Sequence, residues 1–301
     1  VSQAAAWRFL ERAEGLNERL MSARLRAACG LPVTDAAARV LSWLDSARGS
    51  FAPVVGTTLD EALVGSLSVG ASVTPRDPLR MTSAEALSLG AEFGGSTWLG
   101  CHGEPRLVYT DRAFFRGAHG NADRRTVHLG VDVFMPAGTT VHAPVEGVVE
   151  AVEYRDRHLD YGGMVVLRHE SPAGDRFSTL YGHLSRAAVA ALVVGQRIGR
   201  GERFASLGTA DENGGWAPHL HFQLALLFEG LGVDWPGVAD PGELAMWRAI
   251  CPNPAALLNL PDAKTGHRPL DIVSISAGRR AHFASNLKRS YREPCLFLRG
   301  W

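Results

Sequence analysis

Two short segments hold histidine and carboxylate side chains at spacings that suit a metal ion. In His128-Leu129-Gly130-Val131-Asp132, a neutral imidazole and a carboxylate, both good Zn²⁺ ligands, fall on one parity of an extended chain. A straight strand would hold positions i and i+4 about 13 Å apart, too far for ligands that each approach the metal to about 2.0–2.2 Å. The chain must therefore bend, and Gly130 lies between them to permit it. In Pro218-His219-Leu220-His221-Phe222 the histidines at i and i+2 share one face of a strand, about 7 Å apart at Cα. Leu220 and Phe222 then face the opposite way, into apolar packing. One histidine of the pair can bind metal while its neighbour stands over the substrate.

The other histidines carry weaker signals. His183 reads by itself as a core histidine beside Tyr181 on a strand. His142 in VHAP and His169 at the end of VVLRH read as partly buried or edge histidines satisfied by local hydrogen bonds. His102, His119, His158, His267 and His282 sit in loop-like surroundings.

Between about residues 126 and 227, short β-branched runs broken by Gly and Pro predict an antiparallel β domain. The runs are Val127–Phe134, Thr139–Val141, Gly147–Glu153, Met164–His169, Phe177–Tyr181 and Leu220–Leu227. Ahead of them, Phe9, Ala13, Leu16, Leu20, Ala23 and Ala27 recur at helical spacing before Gly30. Thr34 can cap a second helix with Ala37, Leu41 and Leu44 inward and Gly49 past its end. Residues 51–78, rich in Gly, Ser, Thr and Pro, read as a linker, and Thr82 with Glu85 offers a capping box. A short helix is expected over Glu243–Ile250.

With these motifs in order, the chain resembles the lysostaphin and LytM type of zinc metalloendopeptidases, most of which cut peptide cross-links of bacterial cell walls. The resemblance runs from HLGVD through PAGTTVHAPVEGVV, YGGMVVLRH, TLYGHLS and VGQRIGRGE to PHLHF, about a hundred residues. It implies that His128, Asp132 and His221 hold Zn²⁺ and that His183 and His219 are the catalytic pair. Three protein ligands and an open fourth position lower the pKa of a bound water towards about 7. A metal-activated water would then attack a peptide carbonyl, with His219 or His183 taking up the proton. The implied fold is mainly β, a small antiparallel sheet, open or barrel-like, with a helical N-terminal flank, α+β overall. The expected divisions are residues 1–94 for the flank and linker, 95–260 for the metallopeptidase-like domain and 261–301 for an irregular tail. The competing function is a non-catalytic peptide-binding or scaffold module of a multidomain enzyme.

Three features depart from the resemblance. Gln223 stands where relatives usually carry Glu after HLHF, on the face of His219 and His221. The approach Asp211–Ala217 is elaborate and places Trp216 near the expected groove. The tail, Ser290-Tyr291-Arg292-Glu293-Pro294 followed by Phe297-Leu298-Arg299-Gly300-Trp301, resembles the opening of class III pyridoxal-phosphate aminotransferases. Together they suggest a peptide or small amide as substrate, and further domains of a longer polypeptide as partners.

Composition sets outer limits. The 301 residues are 46% hydrophobic and 21% charged, which is enough apolar material for a packed core. Lys plus Arg equals Asp plus Glu at 31 each, so no overall field draws the chain to nucleic acid. No apolar run approaches the roughly 20 residues needed to span a bilayer. Arg8, Glu11, Arg12 and Glu14 leave no secretory h-region, and Cys29, Cys101, Cys251 and Cys295 form no CxxC pair. These features point to the cytoplasm, with the bacterial cell envelope as the alternative.

Overall fold

A computed structural model describes residues 22, 25–27, 29–64, 97–106, 127–227, 236–239 and 244–267. Most of the first expected helix, the Thr82–Glu85 box, His119, His282 and the aminotransferase-like tail lie outside these residues. Among the described residues no helix is long and apolar enough to cross a membrane.

Twelve strands are described: β1 (Leu63–Val64), β2 (Trp98–Gly100), β3 (Val127–His128), β4 (Val131–Phe134), β5 (Thr140–His142), β6 (Gly147–Arg155), β7 (Gly162–Glu170), β8 (Arg176–Leu184), β9 (Arg197–Ile198), β10 (Arg203–Ser206), β11 (His219–Ala225) and β12 (Val238–Ala239). Eight of them make one sheet in the order β1-β2-β4-β11-β8-β7-β6-β9, with β10-β5 and β12-β3 as separate pairs. Every pairing but β1 with β2 is antiparallel. The mainly β expectation holds, and the sheet is open, not a closed barrel.

Register divides the sheet into two chemically different faces, because alternate side chains point to opposite sides. On one face Leu99, Val133 and Leu220 lie opposite one another across β2, β4 and β11, and Val131, Phe222 and Tyr181 do so across β4, β11 and β8. All six are buried in the apolar core. On the other face Trp98, Phe134 and His219 form one row, and Gly100, Asp132, His221 and Gly182 form the next. Trp98 stacks on Phe134 at 3.8 Å, and Phe134 on His219 at 4.8 Å. Apolar burial of the first face thus holds polar residues of the second in register.

Thr34 caps the helix Asp35–Ser46 as expected, its hydroxyl accepting from the Ala37 N–H at 3.1 Å. The inward stripe is Ala37, Val40 and Leu44, however, while Leu41 is 39% exposed. Residues 37, 40 and 44 follow the three-then-four spacing that keeps one helical face, and Leu41 falls to its flank. Trp43 carries the helix onto the sheet, 5.7 Å from Phe177.

The linker expectation for residues 51–78 fails over its described part. Phe51, Val54, Val55, Leu59 and Ala62 are all buried in the core that runs from Val33 to Leu260. Turn residues set the backbone there, yet the apolar residues between them still pack inward.

The bland reading of His169 is correct. It is buried, its Nδ1 donates to the Glu146 carbonyl, and its Nε2 meets the Thr179 hydroxyl, each at 2.7 Å. Burial pushes its pKa down to about 4. His142 is likewise satisfied locally, by Gly201 O and Thr140 Oγ1. His102 is buried, and its Nε2 lies 2.9 Å from the Cys251 carbonyl.

Candidate metal centre

The bend required between His128 and Asp132 occurs at Leu129–Gly130, where the chain leaves β3 and enters β4. Gly130 serves a second purpose. A Cβ there would lie 2.7 Å from His221 Cε1 and 2.8 Å from the Phe222 carbonyl oxygen, so only glycine lets the turn pass the ring. The bend brings His128 Nε2 to 3.1 Å from Asp132 Oδ1. Asp132 and His221 are cross-strand partners, with Oδ1 to Nδ1 at 3.2 Å, and the two imidazoles meet at 2.9 Å between His128 Nε2 and His221 Nδ1. All three residues are buried.

Outer partners fix which nitrogen of each ring is bare. His128 Nδ1 lies 3.0 Å from the Cys101 carbonyl, an acceptor, so it carries the proton and leaves Nε2 as a lone pair. Gln223 Nε2 donates to the Pro236 carbonyl at 3.2 Å, which turns Oε1 towards His221 Nε2 at 2.9 Å. His221 Nε2 must then donate, and Nδ1 is bare. With these tautomers two imidazole lone pairs and a carboxylate oxygen face one another, a donor set that suits a cation.

Four-coordinate zinc, with bonds of about 2.0–2.1 Å, separates its ligand atoms by roughly 3.3–3.4 Å. The triangle of 2.9, 3.1 and 3.2 Å is slightly tighter and opens by a few tenths of an ångström to fit. The donor set suits zinc.

Charge at the site is set by burial and by Arg106. Burial, with Arg106 adding to it, pushes His128 down to about 3, so its ring is neutral. Burial alone would raise the Asp132 carboxyl, but neighbouring positive charge outweighs it and holds the group well below the usual carboxylate range. The neighbours that lower it are His128, Arg106 and His219, of which the Arg106 guanidinium is the permanent cation.

His183 and His219 join the site by different routes. His219 lies in the row next to His221, stacked on Phe134, with Nδ1 donating to the Ala217 carbonyl at 2.6 Å. His183 has the opposite parity to Gly182 and in a regular strand would face the core, as its sequence context suggested. Between the pairs Val165–Tyr181 and Gly163–Leu184, two β8 residues, Gly182 and His183, oppose the single β7 residue Met164, a bulge, and His183 adopts φ +63° within it. The bulge re-aims the side chain, as bulges beside functional sites do. Its ring lies 4.2 Å from that of His219 and 6.3 Å from that of His221. His183 Nδ1 donates to the Asn213 carbonyl at 3.0 Å. Burial lowers both histidines below their ordinary value, so both are neutral at neutral pH with Nε2 able to accept a proton.

The loop 211–217 thus supplies the carbonyls that orient both rings. Asn213 braces it by bonding the Trp216 N–H and carbonyl through its side chain. Trp216 is buried, donates to the Asp160 carbonyl at 3.0 Å and meets His183 edge-on at 6.0 Å. It supports a histidine and presents little of its own surface to a ligand. Sequence reasoning did not find Tyr161, whose ring lies 5.5 Å from that of His221 in space left by Gly182. It also missed Arg106. Glycines opposite a ligand row are a signal for such neighbours only once register is known.

Residues 126–233 match the model of peptidase family M23. That stretch contains all five histidine and aspartate positions just described, and over it the chain is similar to metallopeptidases of the M23 class. An uncharacterized metalloprotease of Haemophilus influenzae is 39% identical over 115 residues, which cover 38% of this chain and 22% of that protein. Peptidoglycan DD-endopeptidase ShyA of Vibrio cholerae is 35% identical over 109 residues, covering 36% of this chain and 23% of that protein. A solved structure, a zinc containing peptidase from Vibrio cholerae, is 26% identical and covers 38% of this chain and 34% of that one, with a TM-score of 0.28. The matched stretch spans under a quarter of either curated relative.

Proposed function

We propose that the chain is a zinc-dependent endopeptidase in which His128, Asp132 and His221 hold the ion and His183 and His219 move protons. The observation that carries this reading is the facing of two imidazole nitrogens and a carboxylate oxygen within 3.2 Å, all three residues being buried. Zinc bound there supplies a Lewis acid that polarises a carbonyl and lowers the pKa of a water. His219 and His183 present Nε2 from rings anchored at Nδ1. One would take the proton of the attacking water at Nε2, and the resulting N–H would donate to the charged tetrahedral species and then pass that proton to the leaving amine. Burial of the site excludes bulk water and strengthens these interactions.

We assign the catalytic unit to residues 95–260, and its substrate to a peptide of the bacterial cell wall, which places the protein in the cell envelope. The relatives' names support this class of substrate. Trp216 and Gln223, which raised the possibility of a small amide, are both buried and engaged with site histidines, so neither argues for a different substrate.

The test is incubation of the zinc-loaded protein with cross-linked muropeptides and, separately, with a dipeptide and acyl-amide library, following new free amines by mass spectrometry. Cross-link cleavage that disappears in His219→Ala is the expected result. Turnover confined to small amides would overturn the wall-peptide assignment while retaining hydrolysis, and inertness towards both would overturn the enzyme.

A further inference from the structure

The residues that orient two of the three proposed ligands lie outside the M23-matched stretch of residues 126–233. In the segment 100–106, Cys101 accepts from His128 Nδ1 through its carbonyl, Glu104 accepts the His128 backbone N–H at 2.9 Å, and Gly103 donates to the His128 carbonyl at 2.7 Å. Arg106 donates from Nη1 to Asp132 Oδ2 at 2.5 Å and from Nε to Glu104 Oε2 at 3.2 Å. The side chains of Arg106, Glu104 and Asp132 are at most 1% exposed.

A fully buried array of three charges is a poor way to gain stability. Desolvation costs several kcal/mol per ion, and an apolar replacement of similar volume often does as well. The array has a different virtue here. The guanidinium holds one oxygen of Asp132 and leaves the other among the three donor atoms. Gly100 makes the arrangement possible. It pairs with Asp132 in the sheet, and a Cβ on it would lie 2.6 Å from Arg106 Nη2.

We propose that Arg106 is a positioning residue of the metal centre: by engaging Asp132 Oδ2 it leaves only Oδ1 to face the two imidazoles, so that Asp132 binds zinc through one oxygen. This rests on the ligand set of the proposed function. Without Arg106, the carboxylate is free to rotate and offer both oxygens, which raises the coordination number and occupies a position that a water or substrate would use. Loss of a group that orients a ligand costs about 10–100-fold in metal affinity.

The experiment uses the full chain and three variants: Arg106→Met, which removes the guanidinium with its hydrogen bonds and charge; Arg106→Lys, which keeps the charge without the fork; and Gly100→Ala, which displaces the guanidinium while leaving every charge in place. Zinc affinity is measured by competition with a chromophoric chelator. Cobalt(II) is substituted for zinc and its visible spectrum recorded, because four-coordinate cobalt absorbs several times more strongly than higher-coordinate forms. Circular dichroism checks that each metal-free variant folds. Affinity is expected to fall about 10–100-fold in Arg106→Met, with a weakened cobalt spectrum, partial recovery in Arg106→Lys and a shift of the same sign in Gly100→Ala. Wild-type affinity and an unchanged spectrum in folded Arg106→Met would reduce Arg106 to a structural ion pair and overturn the proposal, leaving the ligand set intact. If Arg106→Met does not fold, Gly100→Ala decides by the same criteria. Failure of the wild-type protein itself to bind zinc or cobalt would overturn the ligand set, and this inference with it.

Discussion

His221→Ala is expected to lose zinc. The substitution removes Nδ1, one of three donors, and leaves His128 Nε2 and Asp132 Oδ1 as the remaining pair at 3.1 Å. Structural zinc sites with four ligands bind with about 10–16 kcal/mol at neutral pH, so one ligand accounts for roughly 3 kcal/mol, or a hundredfold or more in affinity. The variant also leaves Gln223 Oε1 without the donor it now accepts from at 2.9 Å, a further cost of burying a polar atom. Chelator competition measures the loss. Hydrolysis should fall with it, since little of the protein would hold the ion at micromolar zinc.

His219→Ala and His183→Asn should show the opposite pattern, keeping zinc at wild-type stoichiometry while activity drops by about 10²-fold or more, the usual scale for loss of a general acid or base. Asparagine is chosen for position 183 because the native φ of +63° penalises alanine, whereas Asn tolerates that region. His219→Ala removes a ring stacked on Phe134, so its fold is checked by thermal melting alongside the assay. Zinc loss in His219→Ala with retention in His221→Ala would mean that the roles within the HLHF motif are exchanged. Full activity in both histidine variants would remove them from the chemistry.

The parts of the site legible in the sequence are those carried by local spacing. HLGVD and HLHF each hold their chemistry within five residues, and strand parity alone aligns His219 with His221. Arg106 is a different case. It precedes Asp132 by 26 residues and reaches it because the sheet order sets β2 beside β4, a neighbour relation that no local pattern encodes. His183 by its local context reads as a core histidine beside Tyr181, and only the family resemblance offers it a catalytic role; a single extra residue in β8 turns it towards His219. The role of Gly130 was half visible. Its bend could be argued from ligand reach, whereas its contact with the His221 ring depends on the fold.

Elsewhere, the strand positions of the β domain were readable because β-branched runs alternate with turn residues. Their ends were less so: β8 extends to Leu184 through Gly182, which looks like a breaker in sequence but gives Tyr161 room beside His221. The packing of residues 51–62 was hidden for a related reason. Gly, Pro and Thr dominate the local signal there, while Val54, Val55 and Leu59 have no periodicity to reveal that they share one core.

The central claim is that His128, Asp132 and His221 hold one zinc ion, and elemental analysis of the purified protein tests it most directly. After reconstitution with Zn²⁺ at neutral pH and removal of loosely bound metal, the account predicts close to one zinc per chain, with hydrolysis abolished by chelation and restored by added zinc. Protein that remains metal-free after the same reconstitution, while folded, would contradict it.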